Sequence, residues 1–208
     1  MINFLLKIES LRKCKAFSIS NGIKKNRGMS YIELIVVLSI FSVMTSVILF
    51  NYGEFQEKVD IKNLASDIAL KVVEAQKSSL SGKLNSSAGS SWKPAYGVYF
   101  DISSPKQFIY FVDLNNLNGY ETGETLDTII ITKNNSISGI DRCTGITCIP
   151  SAISPLSINF KRPDSRAIFT DSNGLPLTGF DYAQITILSP KGATAKIKIY
   201  PSGRIQIN

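Results

Sequence analysis

The chain has 208 residues, 44% of them hydrophobic, with 23 lysines and arginines against 16 acidic residues, no histidine and 3 cysteines. That length suits one core of ordinary size beside a membrane segment. Without histidine, acid–base catalysis and metal ligation both lack their most frequent side chain.

In chain order, the first informative stretch is Lys24-Lys25-Asn26-Arg27-Gly28-Met29-Ser30-Tyr31-Ile32-Glu33, followed by an apolar and small-residue run from Leu34 to Phe50. A helix rising about 1.5 Å per residue needs around 20 residues to cross about 30 Å of hydrocarbon, and 29–50 meets that need. No Lys, Arg or Asp falls within it, and Ser39, Ser42, Thr45 and Ser46 can return their hydroxyls to the backbone or to a neighbouring helix. The cations before it should stay cytoplasmic, which places everything after Phe50 outside. One carboxylate, Glu33, stands at the start of the run, although a charge near a bilayer centre costs roughly 2.5–3.5 kcal/mol. Such a residue is expected to have a task.

Beyond the membrane the helical pattern continues over 51–82. Val59, Ile61, Leu64, Ala65, Ile68, Val72, Ala75 and Leu80 recur at three- and four-residue spacing, with charged residues on the remaining faces. Glu54–Lys58 and Asp67–Lys71 are favourable four-apart pairs. The spacing predicts one helix from about Ser30 to Leu80, its outer half amphipathic. Gly82 and Gly89 punctuate the Ser/Gly-rich stretch after it.

Residues 83–208 read as strands: Tyr96–Phe100, Gln107–Val112, Thr128–Thr132, Leu156–Phe160, Ala167–Thr170, Ala183–Leu188 and Ala195–Tyr200, separated by Pro, Gly or Asn. Lys196-Ile197-Lys198-Ile199 and Arg204-Ile205-Gln206-Ile207 alternate around Pro201-Ser202-Gly203, which predicts a hairpin. The expected class is α+β, an antiparallel sheet packed on the outer half of the long helix.

The sequence Arg27-Gly28-Met29, Glu33 and the apolar run resemble the class III leader of type IV pilins and type II secretion pseudopilins. The resemblance implies that a prepilin peptidase cuts between Gly28 and Met29 and methylates the new Met29 amine. Residues 1–28 are then a removed leader, 29–50 the transmembrane and assembly half of the helix, 51–82 its amphipathic half, and 83–208 the extracytoplasmic β domain. It also implies that Glu33, the fifth mature residue, meets the N-terminal amine of a neighbouring subunit, setting register through a paired buried charge. Tyr96–Phe100, Phe111-Val112-Asp113, Phe160-Lys161-Arg162-Pro163 and Pro201–Arg204 are similar to H-type pseudopilins and related minor pilins. The implied partners are the peptidase, other pilin-like subunits and an inner-membrane assembly platform. The implied location is the cytoplasmic membrane, then a pilus or pseudopilus. No cofactor is implied.

Removing residues 1–28 takes a net charge of +6 with it, so of the total +7 only +1 remains. Global basicity therefore gives no support to a nucleic-acid surface. Lys161, Arg162, Arg166, Lys191, Lys196, Lys198 and Arg204 are a candidate DNA-contacting stripe if they share a face, as in a DNA-capturing minor pilin; otherwise they are solvated charges guarding strand edges. Cys14 leaves with the leader, and Cys143 and Cys148, with Gly145 to turn between them, read as a small disulfide loop in an exported domain, or as free thiols. Asp113, Asn115 and Asn118, continuing to Glu121 and Glu124, resemble a calcium loop, but Asn118 and Gly119 come one residue late for the twelve-residue pattern, and a plain Asn-rich turn is favoured. No Gly-x-Ser-x-Gly elbow or phosphate-cradling loop is present, so an enzyme is not expected. A signal-anchored receptor that keeps its leader is the remaining alternative.

Overall fold

The computed structural model describes residues 28–88, 93–150 and 153–208. The basic run Lys24, Lys25 and Arg27, Cys14 and the rest of the expected leader lie outside them, as does Gly89. One helix, α1 (Tyr31–Leu80), runs for 50 residues, as the periodicity predicts. The chain divides into two units between Ser46 and Val47.

In the first unit every side chain from Tyr31 to Met44 is exposed. The hydroxyls of Ser39 and Thr45 donate back to the carbonyls of Val36 and Phe41, both at 2.8 Å, which satisfies two of the polar groups in the apolar run.

In the second unit the outer half of α1 buries Ile61, Ala65, Ile68, Val72 and Ala75. Three residues of this stripe are alanine or valine, which allows close approach of the sheets. The helix stops in a Schellman arrangement: Gly82, at φ 62°, donates to Ser79 O at 2.9 Å and Lys83 donates to Ser78 O at 3.0 Å. Glycine adopts that left-handed conformation without the Cβ penalty.

Among the described residues ten strands follow: β1 (Ala95–Phe100), β2 (Gln107–Asp113), β3 (Thr125–Ile130), β4 (Ser136–Thr144), β5 (Thr147–Ile149), β6 (Leu156–Phe160), β7 (Ala167–Thr170), β8 (Tyr182–Leu188), β9 (Thr194–Ile199) and β10 (Ile205–Ile207). They form two antiparallel sheets rather than one, in the orders β3-β2-β1-β6-β7 and β10-β9-β8-β4-β5. One apolar cluster joins the helix stripe to both, through Tyr96, Val98, Phe100, Leu156 and Ile158 from the first sheet and Ile140, Ile185 and Ile197 from the second. The class is thus α+β, with the outer helix and two sheets around a shared core.

The second sheet exists because β4 and β5 form where the sequence reads as loop. Ser136, Ser138 and Gly139 interrupt the apolar alternation of β4, and a register shift between Ile137 and Gly139 accommodates the extra residue. The third expected strand, 128–132, sits three residues earlier at its start, as β3. Ile131 is still buried beyond its end, its N–H bonded to Lys106 O. The expected Asp67–Lys71 pair is replaced: Lys71 meets Glu74 at 3.0 Å and Asp127 at 3.8 Å. The expected C-terminal hairpin forms, with Ile205 opposite Ile199 and Ile207 opposite Ile197.

Gly97, at the centre of the first sheet, has no room for a side chain. A Cβ there would lie 2.7 Å from Ile158 O and 2.8 Å from a Phe111 ring carbon, and against the Asn159 side chain. Gly97→Ala is therefore expected to lower stability by about 1–3 kcal/mol through overpacking. Urea unfolding of the full chain in detergent reads this as a lower midpoint at unchanged slope; an unchanged midpoint contradicts the packing described.

Candidate functional site

The residues singled out in the sequence occupy four separate places. At the start of the described chain Gly28 has open space around it, Met29 is exposed, and Leu34 N donates to Ser30 O at 3.1 Å as the helix begins. Glu33 lies in the first turn of α1, where unsatisfied backbone N–H groups favour a carboxylate. Glu33 lies four positions after Met29 and two after Tyr31, the first residue of the helix. The helix that follows is long and apolar enough to cross a membrane.

The second place is the β4–β5 hairpin. Cys143 and Cys148 face each other across the two strands and form a disulfide, with Gly145 in the left-handed region at φ 59° in the turn. Asp181 Oδ2 accepts from Gly145 N at 2.6 Å, and Tyr182 OH donates to Gly145 O at 3.3 Å. The hairpin tip is thus held from three sides, with Ile146 fully exposed at its end.

The third place is the loop after β2. Asp113 is buried, and its two carboxylate oxygens accept from Asn116 N (2.6 Å) and Asn118 N (3.1 Å). Asn115 Oδ1 accepts from Leu117 N at 2.9 Å. Asn116 and Asn118 take positive φ, 64° and 63°, a conformation asparagine tolerates better than most residues. Glu124, also buried, closes the loop by accepting from Leu114 N at 2.8 Å and Glu121 N at 3.1 Å. The carboxylates therefore serve as scaffolding for backbone N–H groups, which is what an Asn-rich turn requires. Among the described residues no group of three His, Cys, Asp or Glu side chains is placed to hold a metal.

The loop is anchored to the first sheet by a contact that the sequence does not announce. Asn118 O accepts from both Asn159 Nδ2 and Thr170 Oγ1, the latter at 2.8 Å. Asn159 and Thr170 are buried on β6 and β7, more than 40 residues away in the chain, so no local pattern could have paired them.

The candidate DNA stripe is the fourth case, and its seven cations fall into different settings. Lys161 donates to Asn116 Oδ1 at 2.6 Å, Arg166 pairs with Asp164 at 2.5 Å, and Arg162 stands beside Gly82 at the helix end. These three rim a groove of about 490 Å³ floored by Phe169, Leu177 and Phe180. Lys191 pairs with Glu57 at 3.2 Å. Lys196 and Lys198 lie on β9, and Arg204 lies over the Tyr200 ring at 4.0 Å.

No protein-family model, curated protein or solved structure matches this chain.

Burial holds the Glu124 carboxyl above the ordinary carboxylate range, with the Asp113 and Glu121 charges adding to the rise and the Leu114 and Glu121 N–H bonds opposing it. The folded state then binds more protons at this site than the unfolded state, so its contribution to stability is full below the ordinary carboxylate pKa and is lost as pH rises through the raised one. Urea midpoints measured across that window should fall with rising pH in the natural chain, and Glu124→Gln should flatten that part of the profile. An identical slope in both chains would show that Glu124 titrates normally.

Proposed function

We propose that this chain is a pilin-like structural subunit, a minor pilin or pseudopilin of a type IV pilus or type II secretion pseudopilus. A prepilin peptidase removes 1–28 at the cytoplasmic face, cutting after Gly28 and methylating Met29. The subunit then rests in the cytoplasmic membrane through 29–50, with 83–208 outside, until an inner-membrane platform draws it into a filament of bundled N-terminal helices.

The observation that carries this proposal is the single helix Tyr31–Leu80. Its first twenty residues are apolar on every face and contain one carboxylate, Glu33, in the turn directly after Gly28-Met29. An isolated charge in hydrocarbon is disfavoured, whereas a carboxylate paired with an ammonium and hydrogen-bonded is tolerated. A free Met29 amine of the next subunit is a partner of the right charge, and it exists only after cleavage. Association of helices in lipid draws on packing and polar pairing rather than on the hydrophobic effect. The hydroxyls of Ser39 and Thr45 are already returned to their own backbone, and Glu33 is the one charged group of the run able to set the register. The amphipathic half of the same helix is built into the β domain by its buried stripe, so a pull on the helix is transmitted to the domain.

The test is Glu33→Ala in cells that make the filament. Leader removal and membrane insertion should be unchanged, while recovery in the sheared filament fraction should fall by about tenfold or more, the factor that corresponds to roughly 1.4 kcal/mol. Normal incorporation of the variant would remove the register role. A natural chain found dispersed in the membrane with its leader attached would favour an anchored receptor instead.

A further inference from the structure

The first sheet ends on β7, and the outer edge of that strand is only partly paired. A residue in an antiparallel strand turns its N–H and its C=O to the same side, so the edge can be followed bond by bond. Asp171 N donates to Leu175 O at 3.1 Å and Leu177 N to Phe169 O at 2.8 Å, while Ala167 N donates to Pro201 O at 2.9 Å. The backbone groups of Phe169 and Ala167 therefore face away from β6. Between these bonds the Phe169 N–H and the Ala167 C=O have no partner among the described residues.

A groove lies against this gap. It has a volume of about 490 Å³, and Ala167, Phe169, Leu177 and Pro201 line it together with Phe180, whose ring meets that of Phe169 edge to face at 5.2 Å. Leu177 and Pro201 close the gap at its two ends, so whatever pairs with the edge there is short.

The rim of the groove is cationic. Lys161, Arg162 and Arg166 stand on it beside one carboxylate, Asp164. Asp164 accepts from the Arg166 backbone N–H at 3.0 Å and from its Nε at 2.5 Å, which occupies both groups. Lys161 donates to the neutral Asn116 side chain at 2.6 Å. No ion pair among the described residues includes Lys161 or Arg162, so the rim keeps an excess of positive charge.

We propose that the groove binds a short extended peptide segment of another protein by strand addition beside β7. One apolar side chain of that segment enters the floor, and a flanking carboxylate meets Lys161 and Arg162. The backbone gap selects this class of ligand. The Ala167 C=O needs a donor and the Phe169 N–H an acceptor at strand spacing, and a peptide backbone supplies both. A fatty carboxylate or a phosphate offers acceptors only and leaves the carbonyl unmet, while a basic peptide brings the wrong charge to the rim. The inference stands apart from filament assembly and does not depend on it.

The experiment uses the full chain in non-ionic detergent and the fluorescence anisotropy of a labelled peptide, Glu-Glu-Val-Thr-Val-Glu-Glu. Three control peptides each lack one feature: the same sequence N-methylated at its three central residues, a version with lysine for every glutamate, and one with serine for both valines. Saturable binding of the first peptide with a Kd below about 1 mM is expected, and at least tenfold weaker binding of each control. Lys161→Gln with Arg162→Gln should weaken binding of the first peptide roughly tenfold at unchanged far-UV circular dichroism and thermal midpoint, and Lys161→Arg with Arg162→Lys should retain it. The control peptides act on the natural chain, so they decide the matter even if the double variant is destabilised. No saturable binding, equal binding of any control peptide, or equal binding by a folded glutamine variant each overturns the proposal. Sedimentation showing dimers of the natural chain that the folded glutamine variant lacks would assign the groove to a second copy and overturn it as well.

Discussion

One constraint organises the molecule: a single helix, Tyr31–Leu80, carries an apolar first part and an amphipathic second part. From Tyr31 to Phe50 the helix is predominantly apolar, with Glu33 as its one charged residue. From Ile61 to Ala75 its apolar residues narrow to a stripe, and that stripe is buried against strands from two sheets. The break in pattern is chemical rather than structural, because the backbone hydrogen bonding continues without interruption to Leu80.

The domain meets its half of that constraint with small residues at the helix and large ones opposite. Ala65 and Ala75 are fully buried, and the volume is filled by Tyr96, Phe100, Phe108 and Phe160. Specific bonds then pin the end of the helix to the first sheet. Ser79 Oγ donates to Phe160 O at 2.5 Å, Tyr110 OH donates to Ser78 Oγ at 3.1 Å, and Tyr96 OH donates to Lys83 O at 3.0 Å. Buried hydroxyls with partners avoid the penalty of unsatisfied polar groups. They also fix the direction in which the chain leaves the helix, and with it the placement of β1 and every strand that pairs to it.

Much of this is legible in the sequence because it is local. The three- and four-residue spacing of Ile61, Ala65, Ile68 and Val72 marks the helix, and Gly82 marks its end. The alternation around Pro201-Ser202-Gly203 marks the last hairpin. What the sequence hides is non-local or irregular. In β4, serine, glycine and a bulge mask a strand that holds the second sheet together, so a single sheet is the natural expectation. The Asp113 loop has the composition of a cation site, yet its carboxylates bind backbone N–H groups and its anchors, Asn159 and Thr170, come from distant strands. The seven cations look like one stripe in order of sequence, while the tertiary fold gives them different neighbours.

The proposed function turns on Glu33, whose carboxylate it pairs with the Met29 amine of a processed neighbouring chain. The most direct measurement is the intact mass and N-terminal sequence of the natural protein isolated from membranes of cells with an active processing enzyme. The account predicts a chain beginning at Met29 with a methylated amine. A chain that still carries Arg27-Gly28 and the residues before them would contradict it.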